Sequence, residues 1–198
     1  MTIPLVPDVS RSALLIMDYQ VRIVDMIETG SKAALERASV LLARARQVRI
    51  PVIYIQVGFR PGYPEISPRN SRFGAMKSTG RFLIPGDADA GVHPAVAPEP
   101  GDIMVLKKRV SAFAGSDLEM ILRAHDVDTL ILFGIATSGV VLSTVRQASD
   151  MDYRLIVVED CCLDRDEEVH RVLTQKVFPS AATVVSSSDV VSALDASA

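Results

Sequence analysis

The 198-residue chain has no Trp, and aromatic residues make up only 5% of it. Exposed nucleic-acid bases are held by stacking on such rings, so their scarcity argues against a nucleic-acid partner. There is no marked excess of either charge: 21 Lys and Arg stand against 24 Asp and Glu, a net charge of −3. That balance gives no pull toward nucleic acid or an anionic membrane. Cysteine is nearly absent. Cys161 and Cys162 are adjacent, and neighbouring thiols cannot staple a fold, so a disulfide framework is excluded and a reducing cytoplasm is expected. The histidines, His93, His125 and His170, are scattered, and no Cys/His spacing matches a zinc site, so neither a metal nor a cofactor is expected. Long apolar runs are missing too. The run at residues 13–17 stops at Asp18, and residues 129–141 are interrupted by Gly134, Thr137, Ser138 and Gly139. Neither could span a bilayer, and no basic segment precedes the first, so no leader and no membrane partner are expected.

What the chain does have is a 48% hydrophobic content, enough for a core and for one domain over residues 1–198. Short apolar runs alternate with helix-period stretches. Residues 13–17, Val52–Val57, 103–106, 129–133, Arg154–Val158 and Thr183–Val185 have the largely apolar character of parallel strands. Ser31–Gln47 repeats apolar side chains at helical spacing. Residues 140–151 do the same, and Ser116 with Glu119 suggests a capping box opening another helix. Asp166, Glu167 and Glu168 place acids in a helix first turn. The pattern predicts a three-layer α/β/α fold around an open, six-stranded parallel sheet.

Residues 58–101 break the alternation. They hold seven of the eleven Gly and seven of the eleven Pro, and a connection this long in a compact domain is usually functional. From Phe59 to Phe82, Arg60, Arg69, Arg72, Lys77 and Arg81 stand against Glu65 alone. The stretch is therefore either a cationic lid over an anionic small-molecule substrate or a solvated loop.

Open α/β sheets bind ligands beyond the carboxyl ends of their strands. Asp18, Tyr19 and Gln20 follow the first strand, and Lys107, Lys108 and Arg109 follow the third. An acid and a lysine there can form a catalytic pair or merely an anchoring ion pair. Gly134 to Gly139, opening a helix after the fourth strand, could offer amides to an oxyanion or could be an ordinary turn. It matches neither a Walker loop nor Gly-x-Gly-x-x-Gly. The fifth strand ends at Glu159 and Asp160, and the two cysteines beyond it have no His placed to activate them.

Three motifs together resemble the isochorismatase-like, or cysteine, hydrolases along nearly the whole chain. They are Leu14-Leu-Ile-Met-Asp18-Tyr-Gln20, Val105-Leu-Lys107-Lys-Arg-Val-Ser111-Ala-Phe113 and Gly134-Ile-Ala-Thr137-Ser-Gly-Val140. The resemblance implies a six-stranded parallel sheet and catalytic roles for Asp18 and Lys107. It also implies substrate contacts from Gln20, Arg60, Phe113, Ala136, Thr137 and Val140, a non-prolyl cis peptide at Ala136–Thr137, and self-association into a homodimer or higher homo-oligomer. The chain departs from the family where most members carry a catalytic Cys, three positions after the Thr, because Val140 stands there. An isopropyl group cannot attack a carbonyl. The family's metal-bearing branch has Asp-x-His after the second strand, and here that stretch is Tyr54-Ile-Gln-Val-Gly-Phe59.

True isochorismatases, which hydrolyse a vinyl ether, keep the acid and the lysine without the thiol. The resemblance therefore implies hydrolysis of a small, anionic molecule by an Asp–Lys pair, with Asp18 as proton donor. A non-catalytic ligand-binding member and an amide or ester hydrolase using water activated by Asp18 are the alternatives.

Overall fold

The computed structural model describes residues 5–6, 8–27, 29–77 and 83–196. Six strands, β1 (Ser12–Met17), β2 (Val52–Val57), β3 (Ile103–Lys107), β4 (Thr129–Gly134), β5 (Arg154–Val158) and β6 (Thr183–Val185), lie where the apolar runs predict them. They pair in the order β3-β2-β1-β4-β5-β6, each with its neighbour in parallel. β1 and β4 are buried along their whole length. A strand sealed on both faces has no use for alternating polar residues, and each fully buried Leu or Ile adds about 1.5–3 kcal/mol.

Helices α1 (Val21–Val24), α2 (Ser31–Gln47), α3 (Ser71–Lys77), α4 (Leu118–Ala124), α5 (Leu142–Asp150), α6 (Glu167–Val172) and α7 (Ser187–Ala196) flank the sheet on both faces. α2 buries Ala34, Leu35, Ala38, Leu41, Leu42 and Ala45, the side the spacing marks as apolar, and packs against α7. Asp166 caps α6 by accepting from the amides of Glu168 and Val169. Among the described residues no helix is long and apolar enough to cross a membrane.

Three expectations need correction. The predicted capping box does not form, because Ser116 Oγ donates to Ala112 O and accepts from Leu118 N, so α4 starts at Leu118 with no side-chain bond from Asp117. The predicted helix over residues 140–151 is α-helical only from Leu142, being preceded by a wide turn over Thr137–Val141. The non-prolyl cis bond joins Ile135 to Ala136, one residue earlier than expected. Ile135 bridges Leu163 beside the sheet, and the Thr137 amide donates to Leu163 O.

The long excursion is partly helical. α3 lies within it, and two short 3₁₀ turns, Ala88–Ala90 and Pro94–Val96, follow. Phe73 packs on Phe59 at a ring separation of 5.3 Å, and both rings are buried. Arg81 lies outside the described residues.

Strand order fixes where a ligand can sit. The chain leaves β1 toward β2 on one side and returns from β3 to β4 on the other. The connections leaving the carboxyl ends of β1 and β4 therefore run to opposite sides, opening a crevice at the point where the winding reverses.

Candidate active site

Asp18 follows the last residue of β1 with a left-handed backbone, φ 58°. That conformation is uncommon for a non-glycine residue and Asp tolerates it better than most. It turns the chain out of the strand into the crevice while the Asp18 amide still donates to Ile55 O. Lys107, the last residue of β3, reaches the same place. Its Nζ donates to Asp18 Oδ2 at 2.9 Å and to Arg109 O at 3.0 Å. Both side chains are buried. Asp18 Oδ1 is buried as well and has no hydrogen-bond partner. Burial pushes the Asp18 carboxyl above the ordinary aspartate range, although the Lys107 ammonium and, less strongly, Arg72 oppose it. Lys108 points elsewhere, to Gly58 O.

The pair lines a cavity of about 250 Å³. Its walls are mostly apolar, with Ile23, Ile27, Val57, Phe73, Val110 and Val140 among them, and Arg72, Ser138, Asp164 and Arg165 supply polar groups. Val140 is 2% exposed. Its neighbour across the crevice explains Gly134. A Cβ there would stand 2.7 Å from Met17 O, 2.8 Å from Met17 Cβ and 3.2 Å from Val140 Cγ1. Only a glycine lets the end of β4 pass this close to the end of β1.

Most of the turn after β4 is already hydrogen-bonded within the protein. The amides of Thr137, Ser138, Gly139 and Val141 donate to Leu163 O, Asp164 Oδ2, Ala136 O and Ala136 O respectively. Thr137 Oγ1 lies 2.9 Å from His170 Nδ1, which ties the turn to α6.

Of the residues singled out from sequence, Asp18, Lys107, Ala136 and Val140 converge on the cavity. Gln20, Arg60, Phe113 and Thr137 do not line it. Gln20 is consumed in holding the backbone, since Nε2 donates to Val57 O and Ala90 O and Oε1 accepts from Val57 N. Arg60 is exposed and pairs with Glu65. Phe113 packs against Tyr153, and Thr137 is committed to His170. Asp160 accepts from Ser187 N and Oγ, anchoring α7. Cys161 and Cys162 are buried outside the cavity. Burial pushes the Cys162 thiol up to about 12 and raises Cys161 likewise, so neither is a nucleophile near neutrality. Sequence reasoning missed Met26, Asp164 and Arg165 as wall residues. The signal for the last two was their place just beyond β5, since the strand-end rule applies past the first polar residue too. Among the described residues no group of His, Cys, Asp and Glu is placed to hold a metal ion.

Residues 12–189 match the Isochorismatase domain family. The chain is 35% identical over 143 residues to ureidoacrylate amidohydrolase RutB of Azorhizobium caulinodans, a match covering 67% of this chain and 63% of that protein. It therefore spans less than two thirds of that relative. It is 30% identical over 195 residues to the uncharacterised isochorismatase family protein YecD of Escherichia coli O157:H7, covering 92% of this chain and 96% of that one. Among solved structures, the cysteine hydrolase from Pseudomonas syringae pv. phaseolicola 1448A superposes with a TM-score of 0.87 at 22% identity, covering 96% and 95% of the two chains. N-carbamoylsarcosine amidase from Thermoplasma acidophilum superposes with a TM-score of 0.75 at 27% identity, covering 89% and 96%.

Proposed function

This chain belongs to the isochorismatase family of hydrolases, and from that premise we propose that it hydrolyses a small, anionic molecule without a cysteine nucleophile, using Asp18 and Lys107. The observation that carries this reading is the unpartnered Asp18 Oδ1, buried at the cavity beside a hydrocarbon at residue 140. A carboxyl group that burial favours in its neutral form, with one oxygen unspent, is suited to give up a proton.

For an enol ether the steps balance as follows. Asp18 transfers its proton to the terminal alkene carbon, and the ether carbon becomes an oxocarbenium ion. Water adds to that carbon and returns a proton to Asp18. The hemiketal then breaks its C–O bond to release a carbonyl compound and an alcohol. Lys107 holds Oδ2, so Oδ1 is the oxygen that carries the proton, and the ammonium offsets the carboxylate charge left after transfer. Val140 forms an apolar wall and takes no part in bond making. Arg72 and Arg165 favour a substrate that carries a negative charge.

A second reading has specific support in the named activities of ureidoacrylate amidohydrolase and N-carbamoylsarcosine amidase. In it Asp18 acts as a base, activating water against a ureido or amide carbonyl. Carboxylate-bearing enol ethers and N-carbamoyl amides, assayed on wild type, Asp18→Asn and Lys107→Met, decide between the two. Enol-ether turnover abolished by Asp18→Asn supports the first reading, and amide turnover alone supports the second. Unchanged turnover in Asp18→Asn would reject both, and no turnover of any substrate despite measurable ligand binding identifies a silent binding member.

A further inference from the structure

We propose that Arg165 is the receptor for the substrate's carboxylate, standing at the mouth of the cavity, and that the substrate class is a small carboxylate with an apolar body. The inference deepens the reading above and rests on it for the identity of the reacting cavity.

Arg165, Met26, Ile27 and Asp164 line both the inner cavity and an adjoining outer pocket that also includes Thr29. Arg165, an exposed residue, therefore borders both spaces. Its Nη2 contacts Met26 Sδ at 2.8 Å. A thioether is a weak acceptor, so this contact leaves the guanidinium's hydrogen-bonding capacity almost unused. None of the ion pairs found among the described residues includes Arg165.

The acids around it are committed elsewhere. Asp164 Oδ2 accepts from Ser138 N at 2.7 Å, and its Oδ1 accepts from the Arg165 amide at 2.9 Å, not from the guanidinium. Asp166 caps α6, and Glu167 accepts from Thr29. Glu168 pairs with Arg171. A charged fork is thus kept free of intramolecular carboxylates at the entrance to a cavity, the arrangement that recognises a carboxylate from outside.

Four of the turn amides are already bonded within the protein: Asp164 occupies Ser138 N, and Thr137, Gly139 and Val141 donate to backbone carbonyls. The guanidinium groups on the wall offer an entering anion charge as well as donors. Arg72 is the other one, with Nη2 lying over Gly139. The walls are otherwise mostly apolar, and a cavity of about 250 Å³ falls below the roughly 300–1,000 Å³ typical of drug-sized ligands, so the apolar body is small.

Benzoate and its neutral analogue benzamide are suitable probes, titrated calorimetrically into the full chain so that no turnover is needed. Wild type should bind benzoate about tenfold or more tightly than benzamide, as charge-assisted hydrogen bonding predicts. Arg165→Gln should lose that preference with benzamide affinity unchanged, and Arg165→Lys should recover part of it. Thermal melts of the variants check that they fold. Asp18→Asn should keep the preference, which separates failure of the chemical reading from failure of this one. The proposal is overturned if Arg165→Gln retains the preference, if Arg72→Gln alone removes it, or if wild type binds benzoate no better than benzamide or not at all.

Discussion

Lys107 Nζ lies 2.9 Å from Asp18 Oδ2, while the buried Asp18 Oδ1 has no hydrogen-bond partner among the described residues. The lysine thus divides one carboxyl group into a held oxygen and a free one. Removing one member of a buried pair typically costs about 3–5 kcal/mol. Lys107→Met should fall near the low end of that range, because the stranded Asp18 can keep its proton. Chemical denaturation at neutral pH measures the loss, and a change below about 0.5 kcal/mol would show that the pair carries no structural weight.

The pH dependence of stability follows from the direction of the Asp18 shift. Burial raises its native pKa despite the Lys107 ammonium. The native state therefore binds this proton more tightly than the unfolded chain does. The stabilisation is full below the ordinary aspartate value of about 4 and is lost as pH rises through the raised native value. Urea midpoints of wild type and Asp18→Asn, compared across that window, should show the wild-type advantage falling with pH. An advantage that grew with pH would contradict the shift.

Turnover carries a second pH signature. If Asp18 donates a proton, kcat/KM falls as pH rises through its native pKa. If Asp18 activates water as a base, kcat/KM rises over the same window. The sign of the limb separates the two chemistries without knowledge of the natural substrate.

Val140→Cys places a thiol on the cavity wall beside Lys107. Wild type should resist iodoacetamide at neutral pH, since Cys161 and Cys162 are buried and burial pushes Cys162 up to about 12. The variant should label once, at residue 140, by peptide mass spectrometry. Labelling confined to Cys161 or Cys162 would mean that residue 140 does not face the accessible cavity.

Two glycines should behave oppositely on replacement by alanine. At Gly134 the new Cβ would press on Met17 backbone and side chain at 2.7 and 2.8 Å, so Gly134→Ala should cost at least about 1–3 kcal/mol. At Gly74, inside α3, nothing lies within 4 Å of an added Cβ, and Gly74→Ala should gain about 0.5–1 kcal/mol. Denaturant midpoints check both.

The centre of the sheet was legible because its strands are sealed on both faces: a run such as residues 129–133 can be little else between helical stretches. The C-terminal helix α7 was not anticipated, although Val190 and Leu194 stand at helical spacing and are buried. Asp18 and Lys107 were legible as strand-end polar residues in an apolar chain. Gln20 misled because its position beside Asp18 suited a ligand, whereas its amide serves Val57 and Ala90. Arg165 was missed because its importance comes from what it lacks: Asp164 turns its carboxylate to two backbone amides and leaves the guanidinium unneutralised. Such commitments depend on local rotamers, which residue spacing does not encode.

The pairing of β1 with β4 bears on how the protein is made. Asp18 leaves the ribosome early, but the segment it must lie beside, Thr129–Gly134, emerges only after most of the chain has been synthesised. A nascent or truncated polypeptide carrying both Asp18 and Lys107 but ending before residue 129 would lack Ile135, Ala136 and Val140, which wall the cavity. It would also expose an apolar strand awaiting its central neighbour, so a shielding chaperone has most to do during that interval.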